Sequence, residues 1–274
     1  MIGVPLAVAL LLVFAGSAPA RDSPPTQTAA ELIQAVVINE LADRTQGRKW
    51  MYVIEKREGK QTTTQEQVDT NDGPLYRLLS IDGRPLDPGQ RQQEETRLDR
   101  LLQDPGRQLK SKQVHDEDEQ KLEAVIRMMP AAFLYEFDGV DGTLVRLKFR
   151  PNADYSPATY EARVMRSLAG TILIDPKQKR LAKLSGQLIN RVDFGFGIFG
   201  SIANGGTVEL GRIEVGPSQW KTSRVHIQLS GRLAFFKTIS KRQDETRSDF
   251  RSVPPDLSLR EGNQLLSSGM SRGG

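Results

Sequence analysis

The sequence predicts an α+β, β-rich fold, an antiparallel sheet with helices covering its apolar face. Three observations carry this expectation. After Pro130, apolar residues recur at period two, as in Phe133, Tyr135 and Phe137, or Val145, Leu147 and Phe149. Turn residues separate these runs at short spacing; Gly142-Thr143, Gly170-Thr171 and Gly206-Thr207 each restart one. No crossover helix fits between the runs, so neighbouring strands are antiparallel, which argues against a parallel α/β fold.

The elements follow in order. Val4 to Gly16 is an almost unbroken apolar run that ends in Ser17-Ala18-Pro19-Ala20, where Ala18 and Ala20 give the small-x-small pattern of a signal-peptidase site. The run is short for a membrane span. Residues 1–20 are therefore predicted to be a signal peptide cleaved after Ala20, although no Lys or Arg precedes the run; the alternative is an uncleaved anchor. Residues 21–28 (RDSPPTQT) read as a linker. Thr28-x-x-Glu31 is a capping box opening a helix whose face carries Ile33, Val36, Val37 and Leu41. Trp50, Tyr52 and Ile54 then alternate with Met51 and Val53, Gln61 to Val68 can pair with them, and Leu75 to Ile81 runs into the tight-turn pair Asp82-Gly83.

Asp87-Pro88 marks a helix start, with Leu98, Leu101 and Leu102 as its apolar stripe. A second helical stretch shows Leu122, Val125, Ile126 and Met129 at i, i+3, i+4, i+7, and Pro130 is expected to stop it. The strand-forming runs continue through Ile172 and Ile174, Leu181 and Leu184, Val208 to Leu210, Ile213 to Val215, Val225 to Leu229, and Leu233 to Phe235. In these runs one face is apolar and the other charged, so one face meets water and the other requires the helices before Pro130 as cover. Residues 29–251 make a single domain, and residues 252–274, rich in Gly, Ser and Pro, are expected to be a disordered tail.

Composition narrows the function. The 274 residues contain no cysteine, which rules out disulfides, thiol nucleophiles, iron–sulfur clusters, Cys-bound zinc and a lipidated N-terminal cysteine. The net charge of +4 is spread among closely alternating acids and bases, as in Arg97-Leu98-Asp99-Arg100. Without a dense basic block, nucleic-acid binding is not expected, and the mild basicity suits an anionic membrane surface better.

No residue set specifies a reaction. Gly195, Gly197 and Gly200 match GxGxxG, but a dinucleotide site needs a helix N-terminus directly behind the glycines, and Ser201 to Gly206 cannot open a stable helix. The stretch FGFGIFG reads instead as a glycine-relieved strand or loop, or as the lining of an apolar cavity. His115 precedes a run of acids read as a solvated helix start, and His226 shares a water-facing strand face with Arg224 and Gln228. Asp138/Asp141 and Asp154/Glu161 fall in solvated turns, where carboxylates keep ordinary pKa values and do no acid–base work. The expectation is a non-enzyme with neither cofactor nor metal.

The segment from Arg163 to Arg251, with RVMRSLAGTILIDPKQKRLAKLSGQL, VDFGFGIFG and SRVHIQLSGRLAFFKTISKRQDETRSDFR, resembles uncharacterised bacterial exported proteins akin to the outer-membrane lipoprotein-sorting, or lipoprotein-carrier, family; the upstream DGRPL fits the same group. The resemblance implies a strongly curved antiparallel sheet, a half-barrel, with helices closing its concave face. It further implies a periplasmic location and an apolar cavity for a lipid or an acylated protein. Trp50, Phe133, Phe137, Phe194, Phe196 and Phe199 are then the candidate lining. The alternative is a non-catalytic envelope scaffold whose core is filled by helix side chains.

Overall fold

The structure is a computed structural model that describes residues 27–194, 200–233 and 237–268. The expected signal peptide, residues 1–20, and most of the expected linker lie outside the described residues.

Helix α1 (Ala29–Thr45) begins as its capping box predicts. The Thr28 hydroxyl accepts from the Glu31 amide at 3.2 Å, and the Glu31 carboxylate accepts from the Thr28 amide at 2.7 Å. Each bond satisfies an N-terminal donor that helix geometry leaves free. Strands β1 (Lys49–Glu58), β2 (Gln61–Thr70) and β3 (Gly73–Ile81) follow as a meander. Asp82 and Gly83, at φ 49° and 74°, make the left-handed turn into β4 (Arg84–Pro85).

Helix α2 (Pro88–Gln103) is capped by Asp87 and α3 (Pro105–Ala132) by Asp104, each with Pro in its first turn. Helix α3 departs from expectation at both ends. It starts far upstream of the Leu122 stripe, so the acids after His115 lie within a helix and not at its start. Pro130 sits inside its last turn. The missing N–H removes a single bond there, and the helix ends only at Phe133, whose ψ of 153° is extended.

The remaining elements are β5 (Phe133–Asp141), β6 (Leu144–Pro151), α4 (Tyr160–Met165), β7 (Leu168–Asp175), β8 (Arg180–Leu188), β9 (Val192–Phe194), β10 (Gly200–Ile202), β11 (Thr207–Gly216), β12 (Gln219–Leu233), β13 (Lys237–Val253) and α5 (Leu259–Ser268). Among the described residues the strands form one open antiparallel sheet in the order β4-β3-β2-β1-β13-β12-β11-β8-β7-β6-β5, with the β9–β10 hairpin attached to β12. Strands β4 and β5 are its two edges, so α2 and α3 together carry the chain from one edge to the other. Strand β1 pairs with β13, which joins the first meander to the last.

Directly paired residues share a face of the sheet. One cross-strand row runs Phe137, Leu147, Ile172, Leu184, Leu210, Val225, all on what is here termed the inner face. Helix α1 presses Ile33, Val36 and Val37 onto Leu147, Phe149, Ile172 and Ile174, and α3 adds Val125, Ile126 and Met129. The row beside it contains the pair Gly170–Gly186, where a Cβ on Gly170 would stand 1.9 Å from the Ser185 carbonyl oxygen. No larger residue fits between those strands.

The helices do not all cover one face, contrary to expectation. Met51 lies between Trp50 and Tyr52 and so points to the opposite, outer side. There Met51, Val68 and Leu75 pack with Leu98 of α2 and with Leu257, Leu259 and Leu266 of the C-terminal segment. Trp50 to Tyr52 of β1 and Gln67 and Val68 of β2 are thus buried on both sides of the sheet, whereas Tyr76 of β3 stays 37% exposed. The expected disordered tail is corrected by the same cluster. Strand β13 runs to Val253, and α5 is held by Leu266, which is fully buried, and capped through Ser258 and Glu261. The leucines in this polar segment recur at helical spacing, which its Gly and Ser content obscures. Residues 269–274 lie outside the described residues.

Candidate functional site: the inner-face trough

Of the residues expected to line one cavity, Trp50, Phe133 and Phe137 have described side chains, and Trp50 and Phe133 lie in separate clusters. Trp50 is 4% exposed and packs edge-on against Phe250, with ring centroids 6.5 Å apart, in a cluster with Tyr52, Ile54 and Val215. Phe133 is 5% exposed and belongs to the core under α1, its ring 4.9 Å from that of Phe149. Phe137 is 40% exposed because β5 is an edge strand with no neighbour beyond it. The backbone of Phe194 pairs with Gly200 at the end of β9. Its side chain, with Phe196 and Phe199, lies outside the described residues. Gly200 opens a strand and not a helix, so the geometry that would seat a pyrophosphate behind the glycines is not built.

Between the Phe133 and Trp50 clusters the inner face carries Val208, Leu210, Val225 and Ile227. Val208 pairs with Ile227 and Leu210 with Val225. All four are half-buried. They form a half-buried aliphatic strip, here termed the trough and its floor. On one side Leu184 and Leu210 lead into the core beneath α1. On the other side the chemistry changes: Val225 pairs with Glu245 and Ile227 with Gln243.

That second wall is aromatic and charged. Tyr52 stacks on Phe250 at 5.1 Å, and the Arg247 guanidinium lies 5.6 Å from the Tyr52 ring centroid while donating to Glu245 at 2.7 Å. Burial pushes the Tyr52 and Tyr76 phenols above their ordinary value, so both hydroxyls stay neutral near pH 7.

The tip of the β11–β12 hairpin lies at one end of this strip. Strand β12 pairs with β13 only from Arg224 onward, and the tip before it turns between α1 and Trp50. On the α1 side Arg212 pairs with Glu40 and donates to the Trp220 carbonyl at 2.7 Å, while the Trp220 indole donates to Gln178 at 2.9 Å. Arg180 donates to the Asn39 carbonyl at 2.8 Å and the Ser218 carbonyl at 3.2 Å. On the other side the Lys221 ammonium stands 5.6 Å from the Trp50 ring centroid, and desolvation holds it below the usual lysine value. The Trp50 indole N–H is buried without a hydrogen-bond partner among the described residues.

Of the titratable groups weighed from sequence, His226, Asp141 and Asp138 have structural partners. His226 pairs across the strands with Asp244 on the outer face, and its hydrogen bond lowers the Asp244 carboxylate. Asp141 pairs with Arg146 at 3.0 Å and Asp138 with Lys148. Two clefts of about 280 and 290 Å³ are both lined largely by polar side chains. The first lies between β3, α2 and α5 and the second on the outer face around Asp138, Arg146 and Lys183, so neither is the apolar cavity that the sequence suggested. No described helix is long and apolar enough to cross a membrane. Compared with known proteins, the chain matches no family model, no curated protein and no solved structure.

Proposed function

We propose that the chain is an exported, non-catalytic binding protein that takes an acyl chain of a lipid or an acylated protein along the inner-face trough, in the manner of a lipoprotein carrier. The observation that carries this reading is the half-buried aliphatic floor of Val208, Leu210, Val225 and Ile227, flanked by the apolar core on one side and by Tyr52, Arg247 and Lys221 on the other. Alkyl chains gain roughly 0.8 kcal/mol per buried CH₂, so a tail covering the floor recovers a useful affinity even after the entropy of binding is paid. The cationic and phenolic wall suits the polar end of such a molecule.

A second reading has its own support. Trp50 and Phe133, two of the three expected lining residues with described side chains, are packed in separate cores. A filled interior of this kind suits a non-catalytic envelope scaffold. Native mass spectrometry of the protein recovered from the exported fraction separates the two. The carrier reading expects an added lipid mass and an N-terminus at Arg21; bare protein of unchanged mass, or a retained Met1, opposes it.

A further inference from the structure

We propose that the cleft between β3, α2 and α5 is a binding site for a small zwitterion carrying one carboxylate and one ammonium group. It lies on the outer side of the sheet, away from the trough, and stands independently of the acyl-binding reading.

The argument begins with Arg77, which is 6% exposed and lines the cleft. Its Nε and Nη1 are buried, and neither has a hydrogen-bond partner among the described residues. Glu66 and Glu94 lie within electrostatic reach of Arg77, but their hydrogen bonds go to other groups. Glu66 faces Arg77 across the β2–β3 ladder but pairs with Arg251. Glu94 holds Arg97 at 2.7 Å and accepts the Leu78 amide at 2.8 Å. A buried guanidinium with unmet donors is rare in folded proteins, because each unmet donor keeps its full desolvation cost.

A second unmet group lies in the same cleft. Asn263 of α5 has its Oδ1 buried without a partner among the described residues. Neighbouring Ser267 donates its hydroxyl to the Asn263 carbonyl at 2.8 Å, so it does not meet that need. Two kinds of unmet polarity thus lie just beneath the cleft lining, a cationic donor from β3 and an amide acceptor from α5. Its rim is set by Glu95 and Asp99, one turn apart on α2, which make no hydrogen bond or ion pair among the described residues. Leu98, 1% exposed, gives it an apolar patch.

These charges select the ligand. A simple anion would meet Arg77 but pass two rim carboxylates, and a simple cation would suit the rim but not Arg77. A molecule with both charges satisfies both ends: its carboxylate accepts from Arg77, and its ammonium N–H groups reach Asn263 and the rim acids. The volume of about 280 Å³ accommodates a free α-amino acid.

Isothermal titration of the full chain with glycine, L-alanine, L-serine, L-glutamine and L-lysine tests this, with acetate and methylamine as the two half-ligands. At least one amino acid should bind, with both half-ligands weaker by about tenfold or more. Arg77→Met should weaken that amino acid by at least about tenfold, and Asp99→Asn by a smaller factor, with unchanged circular dichroism. If Arg77→Met does not fold, Asn263→Leu reads the same contact from α5. Failure of every amino acid to bind at millimolar concentration, or equal binding by wild type and variants, overturns the proposal and leaves a cleft that holds water.

Discussion

Glu40 of α1 and Arg212 of β11 form an ion pair in which the two side chains keep only 11% and 10% of their surface in contact with solvent. Arg180 of β8 approaches the same carboxylate at 3.7 Å and Asp43 at 3.5 Å. A single acidic side chain thus ties the C-terminal half of α1 to two strands of the sheet and holds the β11–β12 tip at the end of the trough.

Removing one partner of a buried pair leaves the other charged and unmatched. Glu40→Ala is therefore expected to cost about 3–5 kcal/mol in urea unfolding. The double variant Glu40→Leu/Arg212→Leu should cost clearly less than the sum of its two single changes, since it removes both charges together. A loss below about 1 kcal/mol for Glu40→Ala would mean that the pair is solvated and α1 is not fastened there.

The C-terminal helix gives a sharper test of packing. Leu266 is fully buried against Val68 and Leu75. Leu266→Ala should destabilise the protein by about 2–5 kcal/mol, read from the thermal or urea midpoint. A disordered tail, as its composition suggests, would give no change.

Acid stability should depend on Glu94. Its side chain is only 10% exposed. Desolvation raises its pKa, but the hydrogen bonds from Arg97 and the Leu78 amide and the nearby positive charges outweigh this and hold the carboxylate below its ordinary value. The folded pKa lies below the unfolded one. Its stabilising contribution is therefore complete above the unfolded carboxylate pKa and is lost as pH falls through the folded one. Glu94→Gln should be less stable than wild type at neutral pH, and the gap should narrow as pH drops below the carboxylate range. A gap independent of pH would refute the assignment.

The contrast between α5 and the earlier elements indicates what a sequence conveys. The capping box at Thr28, the turn at Asp82-Gly83 and the alternation from Phe133 to Phe149 were legible because each is a local rule with a local cause. Helix α5 and strand β13 were not. The β13 sequence KTISKRQDETRSDFRSV is polar on both faces, and its buried Glu245 is accommodated by pairing with half-buried Arg247 and not by being apolar. The burial of β1 and β2 on both sides around Met51 and Val68 depends on which helix returns to which face, a long-range matter that periodicity does not carry. In the candidate site, the floor residues Val208, Leu210, Val225 and Ile227 were readable as strand positions. Their place beside the core under α1 was not, because β8 and β11 become neighbours only when the β9–β10 segment is set aside onto β12. Two of the candidate lining residues, Trp50 and Phe133, lie in packed clusters, as large apolar groups usually do.

The most direct test of the acyl-binding account is a titration of the chain from Arg21 with a fluorescent fatty-acid probe, comparing wild type with Ile227→Asp. Ile227 is half-buried on the trough floor, opposite Val208 and Gln243. A carboxylate there should cost the fold only about 1–2 kcal/mol, because the side chain keeps access to water, yet it places a charge where the alkyl chain would lie. The account predicts saturable probe binding by wild type and a loss of at least about tenfold in Ile227→Asp with an unchanged circular dichroism spectrum. Wild-type protein that never binds the probe, or an Ile227→Asp variant that is folded and binds it equally well, would contradict the account.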